Sequence, residues 1–211
     1  MSKRIHLIRS DRDNDQIGGG FAILCRDELK PKQSMQHTYE SFEHDVISVK
    51  SQQKKSLVVV VHRPPSLSIP RFLAEFADFL GDIISFDSSV VISCDFNMHW
   101  DKPADPYVQQ LVAVLDTFDL KQHVEQATHI KGHILDYIIT RSTDQLHCTA
   151  PIIGDLVSDH HIVMCQISLP VSAITKQQVS FRKIKNIVME TFRKDLNESR
   201  LLSTNSTRKI G

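Results

Sequence analysis

The sequence predicts an α/β domain built on a mixed sheet. Three observations carry this expectation. Short runs rich in Val and Ile recur along the chain, each bounded by polar or turn residues. Two longer stretches repeat apolar residues at helical spacing. The strands come in pairs or singly between those helices, the pattern of α/β rather than of segregated α+β domains.

The elements follow in order. Residues 1–20 are polar and end in Gly18-Gly19-Gly20, so no strand is expected ahead of that turn. The triple glycine is not read as a phosphate loop, because it lacks the lysine and no helix pattern follows it. A short strand is expected over Phe21-Ala22-Ile23-Leu24-Cys25. Others are expected over Val46–Val49, Leu57–Val61, Val90–Cys94, Leu135–Ile139 and Ile162–Leu169. His62-Arg63-Pro64-Pro65 ends the third of these, since proline cannot continue a ladder. Arg71–Ile84 gathers Phe72, Phe76, Phe79, Leu80 and Ile83 on one helical face. Tyr107–Phe118 gathers Leu111, Val114, Leu115 and Phe118. Residues 1–170 form the expected domain. Residues 171–211 form a basic linker and tail, with a helix expected over about 183–196.

Composition narrows the function classes. The 211 residues are 41% apolar, too many for a chain that stays disordered throughout. The longest aliphatic run is Leu57–Val61, far short of the ~20 residues of a membrane span. Met1–His6 has charges with no apolar stretch behind them, so no secretory signal is expected and an intracellular, nuclear or cytoplasmic place is. Cys25, Cys94, Cys148 and Cys165 form no Cys-x-x-Cys pair and read as reduced, largely buried thiols. From Val171 onward nine Lys and Arg face three acids. The whole chain is neutral, so the body is acidic by the same margin. An acidic body argues against a histone-like binder and suits a carboxylate-lined metal site.

Four groups of residues carry candidate chemistry. The strand ending Cys94-Asp95-Phe96-Asn97 delivers a carboxylate and an amide where α/β folds collect functional groups, with a strand-end turn as the alternative reading. Ser158-Asp159-His160-His161 precedes the last strand and pairs an acid with an imidazole that titrates near neutrality. Asp136 is embedded in the apolar strand Leu135–Ile139, which is costly unless it is paired. His160 is the partner chosen for it. Glu43 and His62 both border apolar strands and form a second candidate pair, with independent surface residues as the alternative.

These residues in this order resemble the endonuclease/exonuclease/phosphatase superfamily. The resemblance is carried by Asp95-Phe96-Asn97, by Thr128-His129 with Gly132-His133-Ile134-Leu135-Asp136, and by Ser158-Asp159-His160. Within it the chain is most similar to the endonuclease domain of non-LTR (LINE-type) retrotransposon polyproteins. Gly18–Ala22, Ser41-Phe42-Glu43, Arg63-Pro64-Pro65-Ser66 and Gln122-His123-Val124 agree, and the similarity runs over nearly the whole chain.

The resemblance implies a DNase-I-like, four-layer α/β/β/α sandwich that cuts DNA with Mg²⁺, or alternatively Mn²⁺. Carried over residue by residue, Asp95 would hold the metal or stabilise the leaving or attacking oxygen, Asp159 would help hold the metal, and Asn97 would contact the scissile phosphate. His160 would act on the attacking water and Asp136 would orient it. Thr128 and His129 would lie near the DNA backbone, and Glu43–His62 would form a second catalytic pair of the DNase-I kind. Cys94 stands where relatives carry glycine, which would crowd a tight backbone approach. Relatives also carry an early strand with an Asn and then a metal-binding Glu. No acid precedes Asp11 here, so the expectation is a chain truncated at both ends. It would lack its first strand, the metal Glu and the downstream reverse transcriptase, and its activity would be impaired. A catalytically inactive remnant that at most binds nucleic acid, and a phosphatase of the same fold, are the other readings.

Overall fold

The computed structural model describes residues 4–10, 21–34, 37–51, 54–86, 88–144, 147–168 and 188–199. The chain divides into two units, residues 1–171 and 172–211. In chain order the elements of the first unit are β1 (Ile5–Ser10), β2 (Phe21–Arg26), β3 (Lys32–Gln33), β4 (Glu43–Ser51), β5 (Lys54–His62), α1 (Ile69–Ile84), β6 (Ser89–Asp95), α2 (Pro106–Thr117), β7 (Leu120–Gln122), β8 (Asp136–Arg141), β9 (His147–Cys148), β10 (Ile152–Val157), β11 (His160–Met164) and β12 (Ile167–Ser168). The second unit holds α3 (Met189–Glu198). No helix among the described residues is long and apolar enough to cross a membrane.

The centre is a six-stranded sheet in the order β3-β4-β5-β6-β8-β7. Only β5 and β6 run parallel, and α1 makes the crossover between them, as a parallel pair requires. β5 is apolar on both faces because both are covered. Leu57, Val59 and Val61 join the core beneath α1, whereas Val58 and Val60 meet Ile23, Ile47 and Val49 on the other side. The ribbon β1–β2 lies over that second face, and β10–β11 and β9–β12 are further two-stranded ribbons. The architecture is thus mixed α/β, with helices on one face of the sheet and β-ribbons on the other.

The helices form where the apolar spacing predicts them. α1 begins two residues earlier than expected, with Pro70 in its first turn where its missing N–H is not needed. It buries Phe72, Phe76, Phe79, Leu80 and Ile83. Asp105 caps α2, accepting from Tyr107 N–H at 2.8 Å. Phe72 and Phe76 stand 4.9 and 5.0 Å from the ring of Phe96, so α1 anchors the residue between Asp95 and Asn97.

Several expectations need correction. A strand does precede Gly18: β1 pairs with β2 from Ile5↔Arg26 to Ser10↔Phe21. Its apolar residues are largely exposed, with Ile5 at 66% and Leu7 at 57%, so no buried alternation marks it in the sequence. The run expected as one strand over Ile162–Leu169 is two strands, because β11 pairs with β10 and β12 with β9. Leu169 lies outside the described residues. Of the tail helix expected over 183–196, residues 183–187 also lie outside them, and α3 runs on to Glu198. Cys94 crowds nothing. It sits in regular pairing opposite Tyr137, is 5% exposed in the core, and donates its S–H to the Tyr137 carbonyl at 3.9 Å.

Candidate active site

Sheet register assembles the first part of the site. Glu43 pairs with His62, His62 with Asp95, and Asp95 with Asp136, so four candidate residues form one row across β4, β5, β6 and β8. The row lies at the carboxyl ends of the parallel pair β5–β6, where such sheets collect ligands. A cavity of about 370 Å³ opens beside it, lined by His62, Asp95, Asp136, His161, Phe21 and Val163 among others.

Burial pushes the Asp95 carboxyl above its usual range and Asp136 adds to this. The Asn97 backbone N–H, donated to Asp95 Oδ1 at 2.9 Å, and the nearby His160 and His62 pull the other way. Glu43 Oε2 and His62 Nδ1 stand 3.4 Å apart, both side chains being partly exposed.

The second part arrives from β11 and the segment before β8. His160 Nδ1 donates to Asp136 Oδ2 at 2.8 Å, the partnership an acid in an apolar strand calls for. Burial alone would depress the His160 imidazole. The hydrogen bond and charge of Asp136, with Asp95 and Asp159, outweigh it and raise the imidazole above its ordinary value. Protonated His160 therefore stabilises the fold below the ordinary imidazole pKa, and that stabilisation is lost as pH rises through the raised value. In the metal-free chain His160 is therefore expected to titrate above 6.5, and Asp136→Asn to bring it down. Following the His160 ring protons by NMR across pH checks this; no movement in the variant would contradict it.

Thr128 is what joins the two parts, and its role differs from the expected one. Its side chain is fully buried. Its hydroxyl accepts the N–H groups of Leu135 and Asp136 at 3.0 and 3.1 Å, and its carbonyl accepts from His161 N–H at 2.7 Å. Thr128 therefore ties β8 to β11 and is not open to a substrate. His129, beside it, forms an isolated bridge with His160, and their rings stand 5.0 Å apart.

Metal-competent donors resolve into two groups that share His160. One is Asp95, Asp136 and His160; the other is His129, Asp159 and His160, with one donor atom of each residue within 4.8 Å of the others in its group. Asp95 and Asp159, expected to hold one ion together, fall in different groups. Asp159 is the exposed member, and hydrogen bonds from its own N–H and from Ser158 hold its carboxyl below the usual range.

Asn97 does not line the same cavity as Asp95. It adopts φ of 50°, which Asn tolerates, and its amide donates to the Arg63 carbonyl at 3.0 Å. It faces a separate cavity of about 270 Å³ with His99, Lys102 and Tyr107.

In the sequence Arg63 stands at a strand end and in the segment Arg63-Pro64-Pro65-Ser66, and nothing there marks it as buried. It is the largest fully buried side chain among the described residues, at 2% exposure. Its guanidinium donates to the carbonyls of Phe96 at 2.6 Å, Leu67 at 2.8 Å, Asn97 at 3.0 Å and Pro64 at 3.1 Å. The one sequence signal was an arginine placed directly between an apolar strand and two prolines.

Helices on one face of a mixed sheet, ribbons on the other, and a carboxylate–histidine centre at the strand ends define the DNase-I-like class of the endonuclease/exonuclease/phosphatase superfamily. Residues 56–164, more than half the chain, match the family Exo_endo_phos_2, endonuclease-reverse transcriptase, and the chain belongs to that family.

Solved structures share the fold. The endonuclease domain of TRAS1, a telomere-specific non-LTR retrotransposon, is 15% identical with a TM-score of 0.61 over 74% of this chain and 75% of that one. The human Nocturnin catalytic domain with bound sulfate is 15% identical, with a TM-score of 0.58 over 79% and 72%. D. rerio TDP2 complexed with a single-strand DNA product is 14% identical, with a TM-score of 0.54 over 78% and 77%. At these identities the likeness is one of fold. None of the curated protein sequences matches the chain.

Proposed function

We propose that this chain is a metal-dependent phosphodiesterase that nicks DNA. The observation that carries the reading is the His160–Asp136 hydrogen bond at 2.8 Å, set beside the half-buried Asp95 carboxylate. Membership of an endonuclease-reverse transcriptase family and the TRAS1 and TDP2 folds support the nucleic-acid substrate.

The donor set suits a hard divalent cation. Asp95 and Asp136 face each other across adjacent strands, and two neighbouring carboxylates with no cation between them repel. Mg²⁺ takes oxygen ligands and shares them with phosphate, and Mn²⁺ accepts the same donors. Asp95 and Asp136 would hold it. When bound, the cation supplies charge neutralisation at the phosphoryl oxygens.

The remaining chemistry belongs to the chain. Asp136 holds His160 by Nδ1, so Nε2 is the nitrogen that takes the proton from an attacking water. Glu43 orients His62 as a second proton carrier on the other side of Asp95. His129 contacts phosphate oxygens of the backbone.

The test is supercoiled plasmid incubated with the purified chain and Mg²⁺. Nicking that EDTA stops, and that Asp95→Ala abolishes, is the expected result. Equal background in the chain and the variant would overturn the reading and leave at most a nucleic-acid-binding module. Phosphate released from a phosphomonoester, with the plasmid intact, would redirect it to a phosphatase.

A further inference from the structure

We propose that His129, Asp159 and His160 form a binding site for a transition-metal ion of the zinc class, chemically distinct from the Asp95–Asp136 carboxylate pair. One donor atom of each lies within 4.8 Å of the others. His129 Nε2 and Asp159 Oδ2 are 3.7 Å apart. Two donors at the usual zinc distances of about 2.0–2.1 Å stand about 3.4 Å apart at the tetrahedral angle, so a small closure brings both onto one ion. Two imidazoles and a carboxylate suit Zn²⁺ or Co²⁺, whereas Mg²⁺ is held by oxygens.

The site is organised before any ion arrives. His160 gives its Nδ1–H to Asp136, the arrangement that orients a ligating histidine and leaves Nε2 free of a proton. The backbone bridge between His129 and His160 and the Ile130 N–H donated to the Asp159 carbonyl at 2.9 Å hold the three ligands on adjoining segments. His129 Nδ1 now accepts the Lys131 N–H at 3.2 Å. Coordination through Nε2 moves the ring proton to Nδ1 and breaks that bond, which gives the Lys131 amide a signature of occupancy.

Binding here needs nothing from the hydrolase reading. The consequence does rest on it: because His160 belongs to both groups, a zinc-class ion withholds it from the attacking water and inhibits.

Titrating the metal-free chain with Co²⁺ and recording visible absorption tests the site. One Co²⁺ per chain is expected, displaced by Zn²⁺ and not by excess Mg²⁺. His129→Ala and Asp159→Asn each weaken binding by about 100-fold or more, since even losing an outer partner costs about 10- to 100-fold. Asp95→Asn leaves binding intact. Co²⁺ binding that ignores His129→Ala, that Mg²⁺ displaces, or that disappears with Asp95→Asn would overturn the proposal. Independently of any variant, Zn²⁺ must shift the Lys131 amide resonance of the unmodified chain; bound zinc with that resonance unmoved would also overturn it. A chain that binds zinc in this way yet nicks no plasmid would remove the hydrolase reading and keep the site. Mg²⁺-dependent nicking without His129-dependent Co²⁺ binding would do the reverse.

Discussion

His160→Ala lowers Mg²⁺-dependent plasmid nicking by about 10²- to 10⁴-fold, the contribution of a positioned general acid or base. The size follows from the geometry. His160 has one nitrogen committed to Asp136 at 2.8 Å, and it is the imidazole of the Asp95, Asp136 and His160 group, the side-chain type that ordinarily titrates near neutral pH. The ring stands at the start of β11 and is partly exposed, so its loss leaves the core intact. Asp136→Asn falls between the two, because the imidazole remains while its orientation and raised basicity are lost. Initial rates on supercoiled plasmid, with circular dichroism to confirm folding, measure both. A His160→Ala chain that nicks at the unmodified rate would remove His160 from the chemistry.

Arg63→Met destabilises the fold by at least about 3 kcal/mol. Methionine nearly matches the length of arginine and supplies no donors. The carbonyls of Phe96, Leu67, Asn97 and Pro64 each lose a partner at once. The bond to Phe96 is buried and the other three are part-buried, and a buried acceptor left unsatisfied costs about 1–3 kcal/mol. Arg63→Lys loses less, since it keeps the charge but replaces a planar fork with a point donor. Urea denaturation read by Trp100 fluorescence measures the change, and a shift below about 1 kcal/mol would contradict the role assigned to Arg63. Nicking by Arg63→Met falls further than stability alone explains. The same guanidinium holds the turn after Asp95, and Asp95 Oδ1 depends on the Asn97 N–H of that turn.

The legible part of the fold was the part stabilised locally or buried on both faces. β5 is a continuous Val run because a helix covers one side and the β1–β2 ribbon the other, and β6 buries its Val and Ile residues in the same core. The helices announce themselves by one apolar face. β1, β3, β7, β9 and β10 passed unmarked. They are short or outwardly exposed, and their pairing depends on partners distant in the chain. Asp136 with His160 could be paired in advance because an acid inside an apolar strand demands a partner. No comparable demand marks Arg63, whose partners are all backbone carbonyls, or Thr128, whose hydroxyl meets backbone N–H groups across the fold.

The amino-acid order on its own therefore determined the α/β class, the central strands, both helices of the first unit and the identity of the reactive side chains. Apolar periodicity and the cost of burying charge are properties a chain carries before it folds. Register decided the rest. It aligned Glu43, His62, Asp95 and Asp136 in one row, while contacts of segments outside the strands put Asp95 and Asp159 in different donor groups and made Thr128 a buried tie between β8 and β11. These are relations between strands far apart in sequence, and a strand holds no record of which residue will stand opposite it until the sheet closes.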